Sequence, residues 1–261
     1  MSHHQRWPFA RALAHRGGGT LAPENTIAAI EVGREHGYRA IEFDAMLAAD
    51  EIPVLIHDPT LERTTNGRGA VADHSSAALA RLDAGAWKAP RFAGTPLPTL
   101  TDAIAHCRRH DIWINIEIKP APGHESRTGA RVARVAADAY ADLVKPGGDR
   151  ADRIEPRAPL LSSFSREALA AARAAVADLP RGLLVGPIPV DWEEQVESLG
   201  CVALHCSHKH LTRALARTVK DAGYWLFCYT VNEPQRAREL LDWGVDAFCT
   251  DRIDLIPASF A

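Results

Sequence analysis

The sequence lacks several features that would assign it to a special class. Its 261 residues contain five scattered cysteines and no C-x-x-C pair, which predicts reduced core thiols rather than a metal or dithiol site. No apolar run approaches the ~20 residues that span a bilayer. The first eleven residues hold no apolar signal-peptide segment. These absences predict a cytoplasmic protein without a membrane segment.

The chain also lacks a strong excess of charge. A formal net charge of −3 provides no general attraction for nucleic acid or an anionic membrane, so we expect neither as a partner. Recognition of a phosphate must then be local. A hydrophobic content of 46% is ordinary for a soluble enzyme, and the length predicts one domain over residues 1–261.

Short apolar runs alternate with helical stretches about eight times. Helix-like stretches follow most of the runs, so the pattern predicts a parallel sheet that closes most naturally into a barrel, with an open doubly wound sheet as the alternative. The strand-like runs are Arg11–His15, Ala40–Asp44, Ile112–Ile118, Pro159–Phe164, Gly182–Val185, Val202–Cys206, Tyr224–Val231 and Val245–Thr250. The helix-like stretches include Thr26–His36, Arg127–Leu143, Arg166–Ala177, Trp192–Leu199, Leu211–Ala222 and Pro234–Trp243.

One segment, about residues 45–100, interrupts this rhythm. It contains a hairpin-like piece at Ala48–His57, a polar turn after it and a stretch rich in proline and glycine. Long connections of this kind usually carry function or cover a site. We interpret the segment as an insertion after the second strand that lies over the barrel mouth.

Three carboxylates fall on predicted strands. Glu42 and Asp44 are two residues apart, so they share one face of their strand, and Glu117 and Lys119 repeat that spacing on the next barrel strand. Carboxylates on the inner face are costly to bury without a cation. Their convergence would suit one hard divalent ion, Mg²⁺ or Ca²⁺. The alternative is a structural ion-pair network that includes Lys119.

Two histidines end apolar runs. His15 and His57 are placed for acid–base chemistry, because the pKa of histidine lies near working pH, although a structural role is the alternative. Beside them, Arg16 offers a planar fork for a phosphate and Lys119 a point charge.

Other polar residues admit two interpretations. Glu24 and Asn25 either cap the first helix or face the substrate or metal, and Asn232 is a candidate cap for the last helix. Tyr229 is a further candidate for the site on a strand whose aromatic residues are mostly core. The His208-Lys209-His210 motif is assigned a surface or loop role rather than a metal site. Seven other histidines are expected to be solvated: His3, His4, His36, His74, His106, His110 and His124.

Taken together, these motifs resemble the signature of the glycerophosphodiester phosphodiesterases. The resemblance spans essentially the whole chain and is strongest to the bacterial cytoplasmic enzyme linked with glycerol-3-phosphate uptake. It implies a TIM (β/α)8 barrel with an insertion after the second strand. The motifs are His15-Arg16-Gly17, Pro23-Glu24-Asn25-Thr26, Glu42-Phe43-Asp44, His57-Asp58, Glu117-Ile118-Lys119-Pro120, Leu161-Ser162-Ser163-Phe164, Tyr229-Thr230-Val231-Asn232 and Thr250-Asp251.

The resemblance also implies roles for individual residues. Glu42, Asp44 and Glu117 would hold the divalent ion. His15 and His57 would form the acid–base pair, and Arg16 and Lys119 would bind the phosphate. Two departures from the family pattern stand out. Ala49-Asp50-Glu51 replaces a turn that usually ends in Asp-Gly, and Tyr229 stands where many members have tryptophan.

The implied reaction is hydrolysis of a glycerophosphodiester, such as glycerophosphocholine or glycerophosphoethanolamine, to sn-glycerol 3-phosphate and an alcohol. Attack by the glycerol 2-hydroxyl, through a cyclic phosphate, and direct attack by water both stay open. The alternatives are a lysophospholipase D-type activity on the same scaffold and a non-catalytic phosphodiester-binding protein.

Overall fold

A computed structural model describes residues 7–144 and 157–260, so His3 and His4 lie outside the described residues. Eight parallel strands form a closed barrel, because the first strand pairs with both the second and the last. This confirms the predicted TIM barrel. The strands are β1 (Ala12–Ala14), β2 (Ala40–Leu47), β4 (Trp113–Ile118), β5 (Leu160–Ser163), β6 (Arg181–Val185), β7 (Ala203–Ser207), β8 (Trp225–Tyr229) and β9 (Ala247–Thr250).

Helices cover the outside of the barrel. Six of them match predicted stretches to within a few residues, whereas the helices at Ser76–Leu79, within the insertion, and at Leu100–Arg109 were not among the predicted helices. The helices are α1 (Ile27–Glu35), α2 (Ser76–Leu79), α3 (Leu100–Arg109), α4 (Glu125–Ala139), α5 (Arg166–Ala175), α6 (Trp192–Leu199), α7 (Arg213–Asp221) and α8 (Pro234–Asp242). In the part of the chain that the structure describes, no helix is long and apolar enough to cross a bilayer.

The insertion after the second strand is the connection 48–99 between β2 and α3. A short strand, β3 (Pro53–Leu55), pairs antiparallel with Ala45–Leu47, so the predicted hairpin begins inside β2 rather than at Ala48. The connection has a small core of its own, which holds it over the barrel mouth. That core includes Met46, Val54, Ile56, Leu61, Val71, Leu79 and Leu97.

The barrel interior is sealed at the amino ends of the strands. Trp7 packs edge-on against Trp113 and Trp225, with ring centroids 5.8 and 5.2 Å away. At the carboxyl ends of the strands the interior is instead lined by polar side chains, and barrel enzymes build their active sites at this end.

Two predicted caps are wrong. Thr26, not Asn25, caps α1, since its hydroxyl accepts a hydrogen bond from the Ala29 backbone N–H at 3.1 Å. Asn232 donates and accepts elsewhere, and no side chain caps α8.

The expectation of solvated histidines holds fully only for His36 among the described positions. His74, His106, His110 and His124 are half-buried. His106 and His110 lie beside Glu31 of α1. His208 and His210 lie in the loop after β7, as predicted.

Candidate active site

A cavity of about 280 Å³ opens at the carboxyl ends of the strands. Seven of the predicted site residues line it together: His15, Arg16, Glu42, His57, Glu117, Lys119 and Tyr229. Further lining residues are Asn115, Phe164, Leu184, His205, Phe227, Thr230 and Cys249. Asp44 lies beside this set, within 3.4 Å of Arg16 Nε. Asn25 bonds Asp44, and Glu24 bonds Arg16.

The sheet register brings the three carboxylates together. Asp44 of β2 pairs with Glu117 of β4, and Glu42 pairs with Asn115. One carboxylate oxygen from each of Glu42, Asp44 and Glu117 lies within 4.8 Å of the others. Glu42 Oε1 and Asn115 Oδ1 are buried without a hydrogen-bond partner. Buried oxygens that lack donors fit a hard, oxygen-preferring cation such as Mg²⁺ or Ca²⁺.

The three carboxyl groups do not titrate alike. Burial, and then the charge of Asp44, raises the pKa of Glu42 and of Glu117 above the ordinary value. Burial acts in the same direction on Asp44, but the charges of Arg16, His57 and Lys119 lower its pKa overall. Asp44 is thus the permanent negative charge of the cluster.

Both candidate phosphate ligands contact this cluster. Arg16 places Nη1 2.6 Å from Glu24 and Nε 3.4 Å from Asp44. Lys119 Nζ lies 3.0 Å from Glu117 and 3.9 Å from Asp44. Arg16 and Lys119 line the cavity beside the carboxylate cluster, so they can contact an anionic ligand together with a bound cation.

Asn25 positions Asp44. Its amide nitrogen donates to Asp44 Oδ2 at 2.8 Å, and its amide oxygen accepts from the Asp44 backbone N–H at 3.0 Å. The backbone of Asn25 has φ +59°, a left-handed conformation that asparagine tolerates better than most residues. Glu24 bonds Arg16 and Arg63, so it belongs to the charged rim and caps no helix.

His15 is oriented by a carboxylate that received no role in the sequence analysis. Asp251 Oδ1 lies 2.6 Å from His15 Nδ1, and Asn232 in turn bonds the Asp251 carboxylate and backbone. A carboxylate accepts only, so Nδ1 carries the proton and Nε2 is the free nitrogen, 3.7 Å from Glu42. Burial acts to lower the pKa of His15, but the Asp251 hydrogen bond and the charges of Glu42 and Asp251 raise it overall.

His57 has a similar partner. Asp58 Oδ1 lies 2.6 Å from His57 Nδ1, and Arg63 binds the same carboxylate. Burial lowers the pKa of His57 below its ordinary value, although the charge of Asp44 opposes the shift. His15 and His57, the two candidate acid–base residues, therefore each have their Nδ1 held by an aspartate.

The glycine-rich turn after β1 serves close packing within the protein. A Cβ on Gly17 (φ +94°) would lie 2.9 Å from Ala29 Cβ of α1, and one on Gly19 (φ +53°) would lie 2.2 Å from the Asp251 carbonyl oxygen. The turn brings β1, α1 and the loop after β9 together, and thereby sets His15 beside Asp251.

Tyr229 contributes its ring rather than its hydroxyl to the cavity. The hydroxyl donates to the Val185 carbonyl at 2.5 Å, and the ring packs edge-on against Phe164 at 5.7 Å between centroids. The two rings form an apolar part of the cavity lining, and Lys119 Nζ lies 5.7 Å from the centre of the Phe164 ring.

A signal for the missed carboxylates is present in the sequence. Asp251 directly follows the last strand, and a closed barrel places that position next to the end of β1, where the His15 N–H donates to the Thr250 carbonyl at 3.0 Å. Asp58 is simply the neighbour of His57.

Comparison with known proteins identifies the family of the chain. A family model described as the glycerophosphoryl diester phosphodiesterase family matches residues 15–255. The chain belongs to this family. It is therefore an enzyme of the phosphodiesterase class.

Relatives in this family match over nearly their full length. A glycerophosphodiester phosphodiesterase of Caldanaerobacter subterraneus is 32% identical, with 92% of this chain and 93% of the relative covered. One of Bacillus subtilis is 30% identical, with 93% and 84% covered. The solved structure of an Oleispira antarctica phosphodiesterase in complex with its product sn-glycerol-3-phosphate is 33% identical, with a TM-score of 0.84 and coverage of 97% and 95%.

Proposed function

We propose that the protein hydrolyses glycerophosphodiesters, such as glycerophosphocholine and glycerophosphoethanolamine, to sn-glycerol 3-phosphate and an alcohol in a reaction that depends on a divalent cation. The observation that carries the proposal is a cluster of three carboxylates, two of which line the cavity, together with two aspartate-held histidines in the same cavity. The bound product of the Oleispira antarctica relative supports the choice of substrate class.

In this proposal Glu42, Asp44 and Glu117 hold one Mg²⁺ or Ca²⁺ ion. When bound, the ion neutralises charge on the phosphoryl oxygens. Arg16 and Lys119 bind the same phosphate and stabilise its developing charge. Of His15 and His57, one removes a proton from the nucleophile and the other protonates the leaving alcohol, each through the Nε2 that its aspartate leaves free.

The cation requirement is tested by product release. Glycerol 3-phosphate is measured from glycerophosphocholine and glycerophosphoethanolamine with Mg²⁺, with Ca²⁺ and with a chelator. We expect release that stops with the chelator and returns when the ion is restored. Release that persists unchanged in the chelator, or hydrolysis of lysophosphatidylcholine alone, would contradict the proposal.

The histidine roles are tested by substitution. His15→Ala and His57→Ala should each reduce kcat by at least ~10²-fold, the usual contribution of a positioned acid or base. His36→Ala is the matched control, because His36 is exposed at the end of α1 and outside the cavity. Near-normal turnover of both cavity variants would refute the acid–base pair.

A further inference from the structure

A second cluster of metal-binding side chains lies on the outer wall of the barrel. His106 and His110 are four residues apart at the end of α3, so their rings share one face, with centroids 4.7 Å apart. Glu31 reaches this face from α1. One ligand atom from each of the three side chains lies within 4.8 Å of the others.

The cluster is separate from the catalytic cavity. Helix α3 ends just before β4 begins at Trp113, so its last turn lies at the amino ends of the strands. The carboxylates of the cavity lie at the opposite end of the barrel, and none of the three cluster residues lines that cavity.

The contacts within the cluster bring both imidazoles to one carboxylate oxygen. Nε2 of His106 and Nε2 of His110 lie 2.6 and 3.7 Å from the same oxygen, Oε1 of Glu31. The buried His106 Nε2 is close to this oxygen but outside hydrogen-bond geometry with it. A cation bound to all three atoms would satisfy both nitrogens and the carboxylate together.

One oxygen of the Glu31 carboxylate is left to the histidines. Arg34 bonds only Oε2 of Glu31 and leaves Oε1 facing His106 and His110. The neighbouring Cys107 is buried among the apolar residues of the barrel wall and is not part of the cluster.

We propose that Glu31, His106 and His110 form a second divalent-metal site, of the zinc class, that joins α1 to α3. Two imidazoles and one carboxylate are a common three-ligand set for Zn²⁺, with water in the fourth position. Ligand atoms on a tetrahedral zinc lie roughly 3.4 Å apart, given bond lengths of about 2.0–2.2 Å. The observed 2.6 and 3.7 Å bracket this separation, so small side-chain movements complete the site.

Cobalt and zinc binding test the site apart from catalysis. Metal-free protein is titrated with Co²⁺ in excess Mg²⁺, because nitrogen-ligated tetrahedral Co²⁺ absorbs strongly in the visible range and an octahedral all-oxygen site does not. We expect one equivalent of tetrahedral Co²⁺ that Zn²⁺ displaces. His106→Gln and His110→Gln should each weaken Zn²⁺ binding by at least about tenfold, since loss of even an outer-shell partner costs about 10–100-fold.

A matched control separates ligation from folding. His36→Gln changes an exposed histidine outside the cluster and should bind Co²⁺ as the wild type does. Zn²⁺ should raise the thermal midpoint of the wild type and of this control but not that of His110→Gln, whose rate of diester hydrolysis should stay unchanged. Absence of the tetrahedral band in the wild type, or equal Zn²⁺ affinity in all four proteins, would overturn the proposal.

Discussion

Replacement of Asp251 by asparagine tests how His15 is positioned. The Asp251 carboxylate accepts from His15 Nδ1 at 2.6 Å, while Asn232 donates to its other oxygen at 3.2 Å. An amide in this position has one oxygen for two donors. If the oxygen serves Asn232, the amide N–H₂ faces His15 Nδ1, and the imidazole must move its proton to Nε2, the nitrogen that the reaction needs free.

The magnitude follows from the bond that is lost. A hydrogen bond to a charged group contributes about 1.5–3 kcal/mol. At about 1.36 kcal/mol per factor of ten in rate, loss of this contribution from the transition state corresponds to a fall of roughly 10- to 150-fold in kcat. Because Asp251 does not line the cavity, KM should stay within about twofold.

The assay is steady-state release of glycerol 3-phosphate, together with the nitrogen NMR shifts that report the His15 tautomer. Asp254→Asn is the matched control, since Asp254 is an exposed carboxylate on the same loop that pairs with Arg252. The reasoning is refuted if Asp251→Asn leaves kcat at the level of this control, or if kcat falls while the His15 tautomer is unchanged.

Three further predictions follow from the same structure. Glu42→Gln should raise the Mg²⁺ or Ca²⁺ concentration that gives half-maximal activity by at least about tenfold, because a charged ligand is lost, and an unchanged metal titration would argue against its role. Burial lowers the pKa of His205 to about 3, below the value of 6.5 in the unfolded chain. The unfolded state therefore binds the proton first, and the free energy of unfolding falls as the pH falls from 6.5 towards 3. His205→Phe removes this proton and keeps the stack on Phe227. Between about pH 6 and about pH 4.5, the free energy of urea unfolding should fall less steeply in this variant than in the wild type, by about 1.4 kcal/mol per pH unit. Parallel curves of unfolding free energy against pH would contradict this. Glu51 adopts φ +60° in the turn before β3. Glu51→Gly should stabilise the fold by up to about 1 kcal/mol in the same assay, because relief of the left-handed penalty of about 1–2 kcal/mol outweighs the extra flexibility of glycine in the unfolded chain. A clear loss of stability would show that the turn is unstrained.

The repeating architecture was predictable because its signals are local. Each barrel strand is a short apolar run, and six of the helices carry a regular apolar face, so these elements could be located to within a few residues. Helix α3 was missed, because it follows directly on the irregular insertion. The capping of α1 could not be assigned in the same way. Asn25 and Thr26 are both good caps by composition, and the choice depends on Asp44, which lies 19 residues away and takes the Asn25 amide.

The candidate site was predictable in part for the same reason. The two-residue spacing of Glu42 and Asp44, and of Glu117 and Lys119, places each pair on one strand face by geometry alone. Asp251 was missed as a partner of His15 because the two residues lie 236 positions apart in the sequence, although their side chains are 2.6 Å apart in the fold. The His106–Glu31 contact was missed because helical histidines are usually solvated, and only the packing of α1 against α3 buries this pair.

The sequence by itself determined the secondary elements, their alternation and the residue types that can bind a metal and a phosphate, because spacing along a strand or helix fixes which side chains share a face. The tertiary structure decided which of these side chains meet. Barrel closure joins the ends of β1 and β9, and the parallel register sets Asp44 beside Glu117. Such contacts depend on pairings between distant strands, and no local pattern in the chain encodes them.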